Sequence, residues 1–423
     1  MSSPPAARTA PAGHGPAQIT PLRLADGLEL RAAVPADLDS IAALLAERGE
    51  PADAVDHELV MRDPEAGWST CAVVVDGDRV VSTATLLNET LQLGAVEIPA
   101  GQVELVATER EYEGRGLVRA LMGWAHQRSA SLGHLAQVMV GIPYFYRQFG
   151  YAYAMPIAPV RPVSVPPAPR PTADRTVARR ATMADIPAMA ALQAAEQAGA
   201  DLAMPHSPPC WRWLVAREGT TQWLVERDGV AVATGRTTPP EDGGVLSETA
   251  AADAGGAHAL VRHALEVVGP ELKVRERPGT VAGKALAGYL GAAPTGPELY
   301  YARVPDAAAL LEQLRPVLSQ RLAASGFADA TGEALVSFFR FHVRLPYAAG
   351  EVGPVTAGGT MQAPYSAGGA GVAPDQVAPL LFGPDGLAGL ARRHPDVYAG
   401  PNADLMHTLF PPVRSDVLTF YVP

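Results

Sequence analysis

Six prolines fall between residues 159 and 171 of this 423-residue chain. Such a stretch can form neither a helix interior nor a central strand, because proline lacks the amide N–H and its ring clashes with the preceding turn. Residues 157–172 therefore read as a linker, with independent folding units on either side. The two flanks carry the same pattern. Residues 31–44 read as a strand end followed by a helix with Pro35 in its first turn. Residues 179–192 repeat that pattern about 148 positions on, with Thr182 as N-cap and Asp185 in the first turn. Two copies of one fold are expected, which suits a length prior of two to three domains at about 150 residues each.

In the first copy, residues 71–75 and 79–87 flank Asp76-Gly77-Asp78, the order of a hairpin. Residues 103–108 form a further strand, 117–132 a helix with apolar Leu117, Leu121, Trp124 and Ala125, and 134–140 another strand. The second copy is fainter: residues 222–226 and 230–237 pair around Arg227-Asp228-Gly229, and 257–268 supply the helix. A third unit begins near Pro305. There, residues 306–325 are helical with Pro316 splitting them, and 334–345 read as one long strand carrying Phe338, Phe339 and Phe341. The expected class is α/β (α+β) with mixed sheets. Its parts are a tail at 1–24, units at 25–156 and 173–304, the linker, and an α/β unit at 305–423.

The formal charge of -11 argues against nucleic acid or an anionic membrane as partner and favours cationic small molecules. Cys71 and Cys210, the two cysteines, are too few for a disulfide framework and read as reduced thiols of a cytoplasmic protein. No run of 18 apolar residues occurs, so no membrane span is expected, and residues 1–22 lack the apolar stretch of a secretion signal. His258 and His263 are five apart on a helix and do not share a face, so no metal is expected.

The segment from Val106 to Arg119 carries the chemistry. A strand ending Val106-Ala107-Thr108 leads through Gly114-Arg115-Gly116 into the helix beginning Leu117-Val118-Arg119. Such a junction aims unpaired amides and the positive helix end at one spot, which suits a pyrophosphate. Glycine lets the backbone approach the anion closely, and Arg115 or Arg119 adds charge. After the next strand comes Gly141-Ile142-Pro143-Tyr144-Phe145-Tyr146-Arg147-Gln148-Phe149-Gly150-Tyr151. Taken alone, these aromatics are packing residues.

Together the two segments resemble the GCN5-related N-acetyltransferase (GNAT) superfamily. Its signature is a valine-rich strand, an Arg/Gln-x-x-Gly-x-Gly/Ala loop, a helix, a strand and a Tyr-x-x-Phe-Gly turn. The chain departs at Glu113, in place of the basic or amide residue, and at Val118, in place of the small one. Over the whole chain, a GNAT unit, a degenerate second copy and a C-terminal unit look like the Eis (enhanced intracellular survival) branch, whose third domain resembles a sterol carrier protein.

The resemblance implies acetyl-CoA as co-substrate, held by the backbone of Val106, Ala107 and Thr108, by the loop from Gly114 to Arg119, and by Gly141 and Ile142. It implies Tyr146 as the acid that protonates the departing thiolate, and the terminal carboxylate, here of Pro423, as base; Glu109 or Glu104 acting through water is the fallback. It also implies a primary amine of a small molecule or of a peptide lysine as acceptor, and a homo-oligomer, a closed hexamer in that branch. The competing readings are transfer of a longer acyl group and a CoA- or lipid-binding protein without catalysis.

Overall fold

A computed structural model describes residues 20–168 and 175–418. In the first unit β1 (Leu22–Arg23) and β2 (Glu29–Ala32) precede α1 (Leu38–Arg48) and α2 (Pro51–Arg62). Then come β3 (Cys71–Asp76), β4 (Arg79–Leu93), β5 (Val96–Thr108), α3 (Leu117–Ser131), β6 (Ala136–Met139) and β7 (Ala152–Ile157). Leu117, Leu121, Trp124 and Ala125 form the buried face of α3, as their helical spacing requires. Burying each large side chain contributes roughly 1.5–3 kcal/mol.

The second unit repeats this plan. It contains β8 (Val160–Pro162), β9 (Thr176–Arg180), α4 (Ile186–Gln197), β10 (Leu202–Met204) and α5 (Pro208–Ala216). These lead into β11 (Thr221–Arg227), β12 (Val230–Thr237), β13 (Val245–Ala251), α6 (Ala254–Val268), β14 (Lys273–Arg275), α7 (Val281–Leu286) and β15 (Glu298–Arg303). The repeated motif seen in sequence has one physical job in both copies. Arg31 grips Asp37 through two nitrogens at 2.6 and 2.8 Å, and Arg179 grips Asp185 at 2.8 and 2.7 Å. Each aspartate also accepts an amide three residues back, fixing the turn that enters the helix.

The units exchange strands. The first sheet runs β1-β2-β3-β4-β5-β6-β15-β7, so β15, from the end of the second unit, lies between β6 and β7. Reciprocally, β8 is the edge strand of the second sheet, β8-β14-β13-β12-β11-β9. Val160–Pro162 thus makes a strand inside the proline-rich stretch, and the edge position is the one that tolerates proline.

The third unit opens with α8 (Ala307–Gln313) and α9 (Arg315–Ala323), divided just before Pro316. The single strand expected over 334–345 is instead two, β16 (Thr331–Ser337) and β17 (His342–Ala348), paired from Thr331↔Ala348 to Ser337↔His342. The chain turns between them at Phe339, whose φ is 62°, and Phe338 is buried in the core. There follow β18 (Glu351–Val352), β19 (Thr356–Gly358), β20 (Ala370–Gly371), α10 (Val377–Phe382), α11 (Gly386–Arg393) and α12 (Ala403–Leu409). Finally β21 (Ser415–Val417) pairs with β10, which itself pairs with the end of β4. The segment that follows the third unit is in this way carried back to the first sheet. Among the described residues no helix is long and apolar enough to cross a membrane.

Candidate active site

The site is a split between two strands. Thr83 pairs with Ala107 but Thr85 pairs with Glu104, so Leu105 and Val106 together oppose Ala84. This is a β-bulge, and Leu105 sits at its bend with φ of 50°. The bulge steers β5 away from its parallel neighbour, so that β5 and β6 pair only from Ala100↔Ala136 to Gln102↔Val138. Beyond that point lies a cavity of about 600 Å³. Val106, Ala107 and Thr108 form one wall, and Ile142, Phe145, Tyr146 and Phe149 form the other.

Its floor is the glycine turn. Gly114 and Gly116 have φ of 75° and 80°, a region that side-chain-bearing residues disfavour. Gly116 is the N-cap of α3 and supplies no side-chain cap, so the first-turn amides face the cavity lined by Gly116, Leu117, Val118 and Arg119. Arg119 donates to Gln148 at 2.9 Å on the cavity wall. Arg115 does not line it: its guanidinium lies 4.6 Å over the Tyr112 ring and donates to the carbonyl of Glu111. Glu113, the residue that departs from the expected basic position, meets Arg48 at 2.5 Å, and both line the cavity. A cation therefore reaches this position from the end of α1. No local pattern around Arg48 marks it in the sequence.

Tyr146 is buried on the turn Phe145–Phe149, and its ring meets those of Phe145 and Tyr301 edge-on at 5.1 and 5.9 Å. Gly141 lies behind it: a Cβ there would come within 2.7 Å of ring carbon Cδ2. Tyr301, from the exchanged strand β15, donates to the carbonyl of Ile142 at 3.3 Å and so ties down the second wall. Burial, with the Glu104 charge adding to it, pushes the Tyr146 hydroxyl up to about 12. At neutral pH the phenol carries its proton.

Glu104, just before the bulge, is also buried, and Gln102 donates to it at 2.5 Å. Burial pushes its carboxyl up to about 8; the Gln102 bond opposes the shift and the Asp53 charge adds to it. Glu89, on the same face of the sheet, is likewise pushed up to about 8 by burial and by the Glu104 charge. Its inward position is legible in the alternation Leu87, Glu89, Leu91, where a carboxylate interrupts buried leucines. Glu109 is different, because Arg79 holds it from outside the cavity at 2.9 and 2.6 Å. Pro423 lies outside the described residues. The last described residue, Leu418, is buried and its carbonyl accepts from the Tyr300 hydroxyl at 3.3 Å.

A cleft with backbone donors for an anion at one end and a protonated phenol on its wall can bind a phosphorylated thioester and protonate a leaving thiolate, while Glu104 lies beyond the bulge and outside the cavity lining. Residues 29–154 match the family model of the acetyltransferase (GNAT) domain. That match marks the first unit as an acetyltransferase domain and the protein as an N-acetyltransferase enzyme. Its fold is similar to that of a GCN5-related N-acetyltransferase from Anabaena variabilis, 14% identical over 92% of this chain and 98% of that one, with a TM-score of 0.65. A GCN5-related N-acetyltransferase from Kribbella flavida is 19% identical over 93% and 98%, with a TM-score of 0.61. Eis1 from Mycobacterium abscessus is 16% identical over 92% and 99%, with a TM-score of 0.59. No curated protein matches the chain.

Proposed function

We propose that this enzyme transfers an acetyl group from acetyl-CoA to a primary amine by direct attack, with the cofactor in the split between β5 and β6. In this reading the pyrophosphate rests on the amides from Gly114 to Arg119, and the pantetheine arm pairs with the backbone of Val106, Ala107 and Thr108 and with Gly141 and Ile142. The observation that carries it is that Tyr146 and the uncapped start of α3 line one cavity. Glu104, once ionised, takes a proton from the substrate ammonium, the free amine attacks the thioester carbonyl, and Tyr146 donates its proton to the thiolate as the C–S bond breaks. The carboxylate of Pro423 is the other candidate base; it rests on the resemblance to the Eis branch, as do the sterol-carrier-like role of residues 305–423 and a hexamer, whereas the division at 157–172 rests on the prolines of that stretch.

Release of CoA thiol from acetyl-CoA with a panel of amines tests the reading. Tyr146→Phe should lower amine-dependent release at least about tenfold, roughly 1.4 kcal/mol of barrier. Acetyl-CoA binding with no release for any amine would favour a carrier. Faster release from longer thioesters would favour another acyl group. Glu104→Gln and removal of residues 419–423 discriminate the two bases, since only loss of the true base abolishes the rise of rate with pH.

A further inference from the structure

The residues that line the acyl-CoA cleft include two cations, Arg48 and Arg119, and one anion, Glu113. An anion beside a seat for phosphate repels the group that the seat should receive. Its presence there is explained by its partner. Arg48 Nη2 donates to Glu113 Oε1 at 2.5 Å, from the last residue of α1, where the helix dipole favours a cation. Arg119 is engaged differently, by the neutral amide of Gln148 at 2.9 Å. One of the two cleft cations is therefore neutralised by a carboxylate and the other is not.

The pair is built to come apart. The Glu113 side chain is 54% exposed, so its carboxylate regains water as soon as it lets go, whereas the Arg48 side chain is 24% exposed and stays at the wall. Their contact uses one of the five guanidinium N–H groups, and Arg48 has no other hydrogen-bond or ion-pair partner among the described residues. An ion pair this exposed is weak, because water screens it and two long side chains give up freedom to hold it. A phosphoryl group offers two oxygens to the guanidinium fork and accepts shorter, stronger bonds. The amides at the start of α3 add to its hold on the same anion. In a contest for Arg48 the phosphate wins.

We infer that Arg48 binds the diphosphate of the acyl-CoA, and that Glu113 is a place-holder that occupies Arg48 in the free enzyme until the cofactor displaces it. The inference rests on the proposed seat of the cofactor at Gly114 to Arg119, and adds to it a cation from α1 and a competitor carried by the loop itself. Cofactor binding is then an exchange of anions on one guanidinium, and the affinity is set lower than the site alone would give.

Calorimetric titration with CoA, with dephospho-CoA, which lacks the 3′-phosphate, and with pantetheine, which lacks every phosphate, tests the exchange. Arg48→Ala should weaken CoA binding about 10- to 100-fold, as expected for a lost hydrogen bond between charged groups. Arg48→Lys, which keeps the charge without the fork, should lose less. Glu113→Gln should tighten CoA binding about three- to fivefold by removing the competitor. A merely structural ion pair would give no gain when broken, and a misfolded variant cannot produce one, so this variant decides the matter even if Arg48→Ala fails to fold. The same changes should appear with dephospho-CoA. Changes seen with CoA and absent with dephospho-CoA would place the contact at the 3′-phosphate and overturn the assignment, as would unchanged affinity in Arg48→Ala or weaker binding in Glu113→Gln. A wild type that holds pantetheine as tightly as CoA would sink the proposed cofactor seat too, whereas a preference for CoA that Arg48→Ala leaves intact would sink this inference alone.

Discussion

The two repeated units bend the same strand in the same way and put the opening to opposite uses. In the first, Leu105 at φ of 50° throws β5 away from β6 and leaves a cavity of about 600 Å³. In the second, Glu248 at φ of 54° does the same to β13, and the register with β12 slips between Thr234 and Arg236. Here the opening is filled. Arg277, just past β14, reaches across to the carbonyl of Thr249 and to Gln193 Oε1, each at 2.6 Å, and pairs with Asp416 at 2.5 Å. Glu248 is buried against His206 at 2.9 Å and Arg236 at 3.4 Å. The split strand is thus a property of the shared fold, and what occupies it decides whether it becomes a binding site.

The sharpest way to break the comparison is to empty the second opening. Arg277→Ala would leave the half-buried Asp416 beside β10 without its cation and the Thr249 carbonyl without that donor. Breaking a fully buried ion pair from one side costs about 3–5 kcal/mol, and a half-buried one less, so stability measured by denaturant unfolding should fall by roughly 2–3 kcal/mol. The variant should still bind one acetyl-CoA per chain, since the helix start in this unit is occupied. Unchanged stability would mean that Arg277 merely fills space.

The next contrast is electrical. Burial opposes ionisation of Glu248, but His206 and Arg236 more than offset it and hold its carboxyl well below the usual carboxylate range. Glu104 has no such cation, and burial raises it to about 8; its charge in turn adds to the rise at Glu89. If Glu104 is the base, kcat/KM should rise about tenfold per pH unit below pH 8 and level off above it. Two units below the plateau the loss is about a hundredfold. Stability should run the other way. The folded state holds protons on Glu89 and Glu104 that the unfolded chain has released above the ordinary value of 4.5. Unfolding then releases protons, and stability from these groups falls as pH rises from about 5 to 8. Glu104→Gln should remove the kinetic limb and flatten part of that fall, whereas a pH-independent rate would exclude the carboxyl.

Gly141 and Tyr146 supply a smaller and more local contrast, since the second unit has Arg277 where the first continues past β6 to its aromatic turn. Gly141→Ala would push a methyl group into the Tyr146 ring. The expected loss in kcat is about tenfold, with acetyl-CoA affinity little changed, because the phenol moves while the glycine floor stays. Retained kcat would argue against Tyr146 as the acid.

Much of this is legible in the amino-acid sequence alone. Local backbone chemistry announces the glycine floor and the aromatic turn, because Gly114, Gly116 and Gly150 stand at positive φ that few other residues adopt. The Arg-x5-Asp pair announces the repeat. Legibility ends where a contact joins distant segments. Arg48 reaches Glu113 across 65 residues, and β15 enters the first sheet from behind the second unit. No spacing within either segment encodes such meetings. The error at residues 334–345 has a similar origin: uniform β propensity hides a turn that Phe339 makes at φ of 62°.

The least perturbing comparison lies at the two helix starts. In the first unit eight residues, from Glu109 to Gly116, separate β5 from α3, and the cap has no side chain. In the second, α6 begins almost directly after β13, and Asp253 caps it by accepting from Gly256 N–H at 2.9 Å. Arg227 then closes over the same carboxylate at 2.8 and 3.1 Å. The aspartate thereby takes the place that an anion takes at an open helix end, and the Arg227 bond and the Gly256 amide pull its carboxyl down to about 2. Asp253→Ala should cost about 1 kcal/mol, the usual worth of a cap. It should create no second acyl-CoA site, because Ala252 and Asp253 are too short a connection to wrap a pyrophosphate, and Gly255 and Gly256 already lie inside the helix. Equilibrium dialysis with labelled acetyl-CoA decides the matter: two molecules bound per chain would mean that the cap alone, and not the missing loop, keeps the second unit closed.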